Sequence, residues 1–528
     1  MLCPGSALAL PLLCCPCSLL TFTRAPQGWG EALDEPIAAK QPTTPDRSLI
    51  NADFAPVEAG KRTFSASDMA ALWVGLVVCV PSWTLVGSLI DLGFSAGQGL
   101  SVILVANCLV LVPMVLNAHG GTKYGVPFPV LARAAFGVRG ANIPSLLRAL
   151  VACGWFGIQT WVGAGIVHTL LNALSGGALT APPLPWVGIS ASEVACFVAF
   201  WAVQVGIIVR GIESIKAVEQ FSAPLLIALT AALFAWAVST TGGFGPMLAA
   251  PSAFGIGGAK AGQLWGTLLP ALTANVGFWG TLSLNIPDIS RYAKSQRAQL
   301  VGQALGLPLT MVAFSFVALT VTSATVALYG APISDPVAVL ARLGGVGPTV
   351  AGLVGLLVAT LSTNIAANVV APANAFVNLQ PQLITFRIGG VLTALIGMLI
   401  CPWRLIGSTQ GFIFVWLVGY SALLGPCAGI LLADYFLLRR RTLDVDALYD
   451  ASSSGAYFYS GGYNPAALIA LVVGVLPNLP GFLNAAGVLR SVAPLWTALY
   501  GQAWFLGFAV AMATYLALMR APRLLPGS

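Results

Sequence analysis

Along this chain apolar positions gather into long runs, separated by short stretches rich in glycine, proline and polar residues. Twelve such runs follow Ser65, at 67–90, 98–118, 143–173, 189–209, 217–239, 263–286, 301–328, 349–374, 386–402, 405–436, 464–482 and 494–519. A helix needs roughly 20 apolar residues to cross a hydrocarbon core about 30 Å thick, so each run reads as one crossing. Segments such as "SGG", "TTGGFGP" and "GGVGP" fall between them, where glycine and proline make turns. A lipid-facing barrel would alternate apolar and polar residues with period two, and that period is absent. The pattern predicts an all-α polytopic membrane protein with about twelve transmembrane helices.

Composition agrees, and charge adds an orientation. Of the 528 residues 57% are hydrophobic and 8% charged, whereas a water-soluble domain has about a quarter of its residues charged. Lys and Arg collect on the side where the chain stays during insertion. With twelve spans, the N-terminal arm, the loops after even-numbered spans and the C-terminus share one side. There lie 20 of the 24 Lys and Arg, among them Lys123, Arg133, Arg139, Arg291, Lys294, Arg297 and the run Arg439, Arg440, Arg441. Lys260, Arg342, Arg404 and Arg490 lie opposite. The net charge of +7 therefore reports topology, with both termini on the cytoplasm-like side, and needs no nucleic-acid partner.

Residues 1–62 read as a disordered leader and a candidate targeting segment. Their apolar stretch has no basic residue before Arg24, as a signal peptide would, and no acidic residue before Glu31, as in transit peptides. The ten cysteines show no metal-binding spacing; Cys14, Cys15 and Cys17 lie in the leader and most others inside spans, as small buried hydrophobes.

Two spans are poorly made as helices. Span 1 carries Gly75 and then Pro81 in mid-membrane, and a proline there frees carbonyls near Gly75 to Val78. Span 6 carries Gly277 and Gly280 around Phe278 and Trp279. These are the first spans of two successive five-span halves, and interrupted helices in matching positions point to an inverted-repeat transporter with its site at the midplane breaks. Span 8 is the most polar: Ala359, Ser362 and Thr363 share one stripe. Their uncharged oxygens suit a weakly held monovalent cation, completed by carbonyls from a broken neighbour. Asn368 projects about 140° away from Thr363 and faces a different ligand. Such residues also bond helices together in lipid, which is the alternative for each alone.

Span 3 holds "GWFGIQTW". Trp155 and Gln159, four residues apart, share a face. The indole offers a stacking surface and the amide a donor pair and an acceptor, a slot for a planar, polar, uncharged ring such as a pyrimidine, purine or hydantoin. Trp161 points elsewhere, toward packing or the interface. Enzyme chemistry at membrane depth finds no support, since His119 and His168 lie near span ends and HExxH is absent. A passive channel, the alternative of another class, would need a continuous polar stripe, and the flanks of span 3 are apolar.

The motifs "WFGIQTW", "ANVGFWGTLSLNIPD", "LSTNIAANVVAPAN", "LADYFLLRRRTLDVDALY" and "GVPFPVLARAAFGVRGANIP" resemble the nucleobase:cation symporter-1 family, from about Phe64 to Phe482. "SGAYFYSGGYN" and "LPGFL" are most similar to its plant and algal nucleobase transporters. The resemblance implies inverted five-helix repeats, here 63–240 and 262–438, then a loop at 439–463 on the positive side and two C-terminal transmembrane helices within 464–520. It implies a substrate sandwiched between Trp155 and Trp279, bonded by Gln159, Asn368 and backbone near Phe278. It also implies a cation site, sodium in some relatives, matching the carbonyls of Gly75, Val78 and Ala359 and the hydroxyls of Ser362 and Thr363.

Two positions depart from the pattern: Cys79 stands where hydantoin-type relatives carry a substrate-touching glutamine and plant relatives tend to have glycine, and Gln159 stands where plant members commonly carry glutamate. The implied function is import of uracil, adenine or guanine with a cation by alternating access, without a cofactor, in a plastid envelope or plasma membrane; the alternative within the family is an allantoin or hydantoin importer. The coupling ion is H+ or Na+. For protons the carboxylates available near the spans are Asp91, Glu193 and Asp434.

Overall fold

The computed structural model describes residues 40–210, 212–342, 346–405, 408 and 411–521. The described residues are helical apart from turns, loops and isolated bridges. The principal helices are α1 (Ala66–Val77), α2 (Val80–Asp91), α3 (Ala96–Tyr124), α4 (Asn142–Leu174), α5 (Ala191–Arg210), α6 (Ile212–Thr241), α7 (Leu264–Asn285) and α8 (Gln296–Tyr329). They continue as α9 (Val346–Asn368), α10 (Val370–Leu379), α11 (Phe386–Leu399), α12 (Val418–Leu432), α13 (Pro465–Val475) and α14 (Ala503–Arg520). Every one of the twelve apolar runs is largely helical. By length and apolar character eight helices among the described residues can cross a bilayer, nine when the bent pair α1–α2 counts as one span. The remaining three runs, at α6, α7 and α11, are shorter or more polar than that: α6 begins "IESIKAVEQ", and α7 carries Thr273, Asn275, Thr281, Ser283 and Asn285, all buried in the protein.

The first span breaks as its sequence predicts. A capping box between Ser65 and Asp68 starts α1, and the chain leaves helical geometry at Val78 and Cys79, with Cys79 extended at φ −146° and ψ 161°. Pro81 then occupies the first turn of α2, where no N–H is needed, and the two halves meet at 62°.

The expected break of span 6 is not there: α7 runs unbroken through Gly277 and Gly280. Gly277 serves packing instead, because a Cβ on it would lie 2.0 Å from Ser421 Oγ and 3.1 Å from Leu417 O on the neighbouring helix. Span 8 runs from α9 into α10 as one span: Val369 keeps helical geometry, and Val369 N and Ala373 N donate to Ile365 O (3.3 Å) and Val369 O (3.0 Å). Proline at 372 cannot donate to the carbonyl of Asn368, so a single rung of the ladder is missing at the end of the most polar segment.

The two ends of the bundle sort by charge as the Lys and Arg distribution predicts. At one end Arg133 donates to Leu49 O (2.9 Å), Leu448 O (3.0 Å) and Asn378 Oδ1 (2.8 Å), and Arg291 to Asp53 O (2.8 Å). At the other, Lys260 donates to Leu92 O (2.8 Å) and Arg404 to Trp186 O (3.3 Å).

The predicted disordered leader needs correction. Its residues 1–39 lie outside the described residues, but residues 40–62 are packed onto the positive end. Phe54 is fully buried, Asp46 N donates to Tyr449 O (2.9 Å), Val57 N to Gly125 O (2.8 Å), and Arg62 reaches Val57 O and Thr122 O (both 2.9 Å). Leu49 and Phe54 join the apolar cluster of that end, and backbone bonds hold the more polar residues around them. Residues 439–463 meet it as a folded cap around Leu448 and Tyr449.

Close helix approach supplies a test. On α4, a Cβ at Gly157 would lie 2.3 Å from the backbone oxygen of Gly397 on α11, whereas one at Gly165 meets nothing within 4 Å. Gly157→Ala is therefore expected to destabilise the detergent-solubilised protein by about 1–3 kcal/mol, and Gly165→Ala to leave its thermal melting near that of the parent. Equal melting of the two variants would refute the packing argument.

Candidate functional site

The break between α1 and α2 opens onto a small central cavity of about 30 Å³. Its walls hold Cys79, Trp155, Gln159, Phe278, Trp279 and Asn368, brought together from α2's first turn, α4, α7 and the end of α9. Such a space, mainly apolar with a few convergent polar groups, has the character of a small-molecule site. All six of these residues are buried.

The aromatic arrangement differs from the expected sandwich in one respect. Phe278 stands edge-on to both indoles, with centroid distances of 5.3 Å to Trp155 and 5.0 Å to Trp279. Trp73 in turn stands edge-on to Trp279 at 5.3 Å. Phe278 thus contributes its ring to the cavity as well as backbone. The sequence hides this because adjacent residues on a helix point about 100° apart, and only the position of α4 shows that both rings reach the same space. Trp161 packs on Phe197 and Trp403, away from the cavity, as its offset predicts.

Polar groups in the wall are few. Gln159 Oε1 is buried and has no hydrogen-bond partner, and Asn368 Nδ2 donates to Asn364 Oδ1 at 2.9 Å. Cys79 caps α2 by position and its Sγ lies 3.2 Å from Ser82 Oγ. Sequence reading passed over Thr160, Gln204 and Arg148. Gln204 is a lone amide inside an otherwise apolar span, which was a usable signal. Arg148, two turns from Trp155 on α4, is buried and donates through Nε to Thr281 O and Asn285 Oδ1, both at 2.8 Å. It ties α4 to α7 between the cavity and the positive end.

On the opposite side a second hollow of about 160 Å³ is lined by Pro81, Thr84, Ser88, Asp91, Ile158, Ser334 and others. Pro81 borders both spaces. The two are neighbours across Pro81, the hollow lying on the side of Asp91, away from the Lys- and Arg-rich end.

The cation-site residues also converge. Thr363 Oγ1 donates to Gly75 O at 3.2 Å, joining the polar stripe of α9 to the end of α1. Val78, outside helical geometry, follows α1 at its C-terminal end, where the helix dipole is negative. Ala359 and Ser362 are buried one turn or less along the same stripe. Uncharged oxygens at a helix C-terminus fit a monovalent cation better than a divalent one, which would need carboxylates.

A helix broken at mid-length with a buried cavity at the break has the form of a secondary transporter of the broken-helix class. Comparison with known proteins assigns the family. The family described as "Permease for cytosine/purines, uracil, thiamine, allantoin" matches residues 56–507, and the chain belongs to it, the nucleobase:cation symporter-1 family. The purine-uracil permease NCS1 of Arabidopsis thaliana is 48% identical over 90% of this chain and 78% of its own. The allantoin permease of Bacillus subtilis is 39% identical over 89% of this chain and 93% of its own. The structure of Mhp1, a transporter of the same family in a closed conformation with bromovinylhydantoin bound, is similar with a TM-score of 0.72 at 26% identity, covering 90% of this chain and 96% of that one. The protein is a multi-pass transporter of a cation-coupled family, and not an enzyme.

The two tryptophans of "GWFGIQTW" should separate cleanly. Trp155→Ala is expected to weaken equilibrium substrate binding by about 1–3 kcal/mol through loss of a stacking face, and also to lower the melting temperature, since the ring packs on Phe278, Phe412, Trp416 and Tyr420. Trp161→Ala should lower the melting temperature and leave binding near that of the parent. Binding lost in Trp161→Ala and kept in Trp155→Ala would move the site away from Trp155.

Proposed function

We propose that this protein imports nucleobases, uracil, adenine or guanine, together with a cation, the ring lying against Trp155 and Trp279 and its edges meeting Gln159 and Asn368. The observation that carries this reading is the convergence of all four on one buried cavity at the α1–α2 break. The relatives named for purine and uracil support the substrate class. We further infer two five-helix repeats at 63–240 and 262–438, with the C-terminal pair at 464–520 outside them, and a plastid envelope or plasma membrane as location. An allantoin-type substrate is the second reading, favoured by the neutral amide at Gln159 and by the allantoin permease at 39% identity. A competition panel against labelled uracil and labelled adenine decides between them: displacement by allantoin alone would overturn the nucleobase reading.

For the coupling ion we propose protons. Thr363 Oγ1 donates to Gly75 O at 3.2 Å, a contact through which the hydroxyl stripe can serve helix closure. Two of the carboxylates offered by the sequence have structural employment. Glu193 accepts from Ser190 N at 2.7 Å, and Asp434 pairs with Arg439 at 2.7 Å and accepts from Tyr515 at 2.8 Å. Asp91 borders the outer hollow. Asp288, beyond the end of α7, is a further candidate: it accepts from Phe128 N at 2.9 Å, and burial pushes its carboxyl up to about 6, against the opposing pull of Arg291 and Arg148. It is neutral below that pH and charged above it, as a proton carrier near neutrality requires. Uptake into vesicles in sodium-free buffer under an imposed pH gradient is expected to be undiminished and sensitive to uncoupler, and Asp288→Asn to retain exchange but lose accumulation. Strict sodium dependence, abolished by Thr363→Ala, would establish the sodium site of Gly75, Val78, Ala359, Ser362 and Thr363 instead.

A further inference from the structure

Behind Asn368 a chain of polar side chains runs out of the cavity wall through three helices. Thr160 Oγ1 donates to Phe156 O at 2.7 Å, and Gln204 Nε2 donates to Thr160 Oγ1 at 3.0 Å. Asn364 Nδ2 donates to Gln204 Oε1 at 2.7 Å and also lies 3.1 Å from Phe156 O and 3.3 Å from Thr160 Oγ1. Asn368 Nδ2 completes the chain on Asn364 Oδ1 at 2.9 Å. Thr160, Gln204 and Asn364 are fully buried.

An isolated amide can be turned over, exchanging nitrogen and oxygen with little change of shape. This chain has one allowed sense, because it is anchored on a backbone carbonyl, which only accepts. Phe156 O must face the nitrogen of Asn364 and the hydroxyl proton of Thr160. Thr160, having donated, accepts, which sets the nitrogen of Gln204 against it and the oxygen of Gln204 against Asn364. The oxygen of Asn364 then faces Asn368, which answers with nitrogen. Turning over any one amide would press acceptor against acceptor in a site without water, where an unmet polar group is most costly.

We propose that Thr160, Gln204 and Asn364 form a positioning relay that fixes which atom of Asn368 the substrate meets. With Nδ2 engaged, Asn368 offers Oδ1 to the cavity as an acceptor. Gln159 adds an amide that nothing anchors, so it can turn either a donor or an acceptor to the ring. The fixed acceptor at Asn368 selects a ring with an N–H donor on the edge it meets, the neutral lactam and imide forms, and discriminates against the same ring alkylated at that nitrogen. None of the three relay residues lines the cavity, so they act through Asn368. This deepens the nucleobase reading and rests on the ring lying between Trp155 and Asn368.

The test uses the full chain in proteoliposomes, with labelled uracil competed by uracil and by its N1-methyl and N3-methyl derivatives. Gln204→Met and Thr160→Val keep volume and remove the relay; Thr160→Ser keeps the hydroxyl. The first two are expected to raise KM about tenfold or more, as an orphaned buried partner does, with Vmax per inserted transporter within about twofold. The ratio of inhibition constants between methylated and unmethylated rings should collapse toward one, and Thr160→Ser should restore it. An unchanged ratio, with KM and Vmax altered or not, would overturn the relay and leave these residues as helix packing. If Gln204→Met fails to insert, Thr160→Val carries the same comparison. A parent protein that takes up none of uracil, adenine and guanine defeats the nucleobase reading alone; the ratio is then read with allantoin and N-methylated hydantoins, and the relay stands or falls on it.

Discussion

Inside a bilayer every backbone polar group has to be met by the protein, and a helix can be interrupted only where other parts of the chain surround the gap. The break at Val78 and Cys79 is the point on which this structure turns. Gly75 O at the end of α1 is met by Thr363 from α9, and α2 begins with a proline that has no N–H to satisfy. That arrangement places α9 against α1, leaves Cys79 and Pro81 at a cavity wall and aims α2 toward the outer hollow. The cavity and the hollow beside it follow from one interrupted stretch of helix.

Polar side chains at depth are subject to the same accounting. Gln204, Asn364 and Thr160 have no apparent use on an apolar span until they are seen bonded to one another. Arg148 likewise finds Thr281 O and Asn285 Oδ1 on α7. Ionisable or amide groups at such depth either hold helices in register or serve ligands. Here the two roles are joined, since the groups that bind α4, α5 and α9 together end at Asn368, in the cavity wall.

Flexibility and rigidity are distributed accordingly. Helices beside the cavity meet at backbone-to-backbone distances, as Gly157 and Gly397 show. The α1–α2 junction is where helical geometry is already interrupted, at Val78 and Cys79. Movement about that junction breaks no continuous helix, which suits alternating access.

Much of this was legible in the sequence. Run length and the placement of Lys and Arg determine an all-helical membrane chain and its sidedness, because lipid forces helices and insertion sorts charge. Local spacing determines that Trp155 and Gln159 share a face, that Trp161 does not, and that Pro81 interrupts the first span. Tertiary structure alone decided the rest. Gly277 and Gly280 look like a break but allow close packing, since the sequence does not say whether a missing side chain is filled by strain or by a neighbouring helix. The ring of Phe278 at the cavity and the docking of residues 40–62 on the positive end both depend on partners remote in the chain. So does the relay, in which the orientation of Asn368 is fixed by a carbonyl on another helix: hydrogen bonds between helices are set by how the helices are placed, and no periodicity within one of them records it.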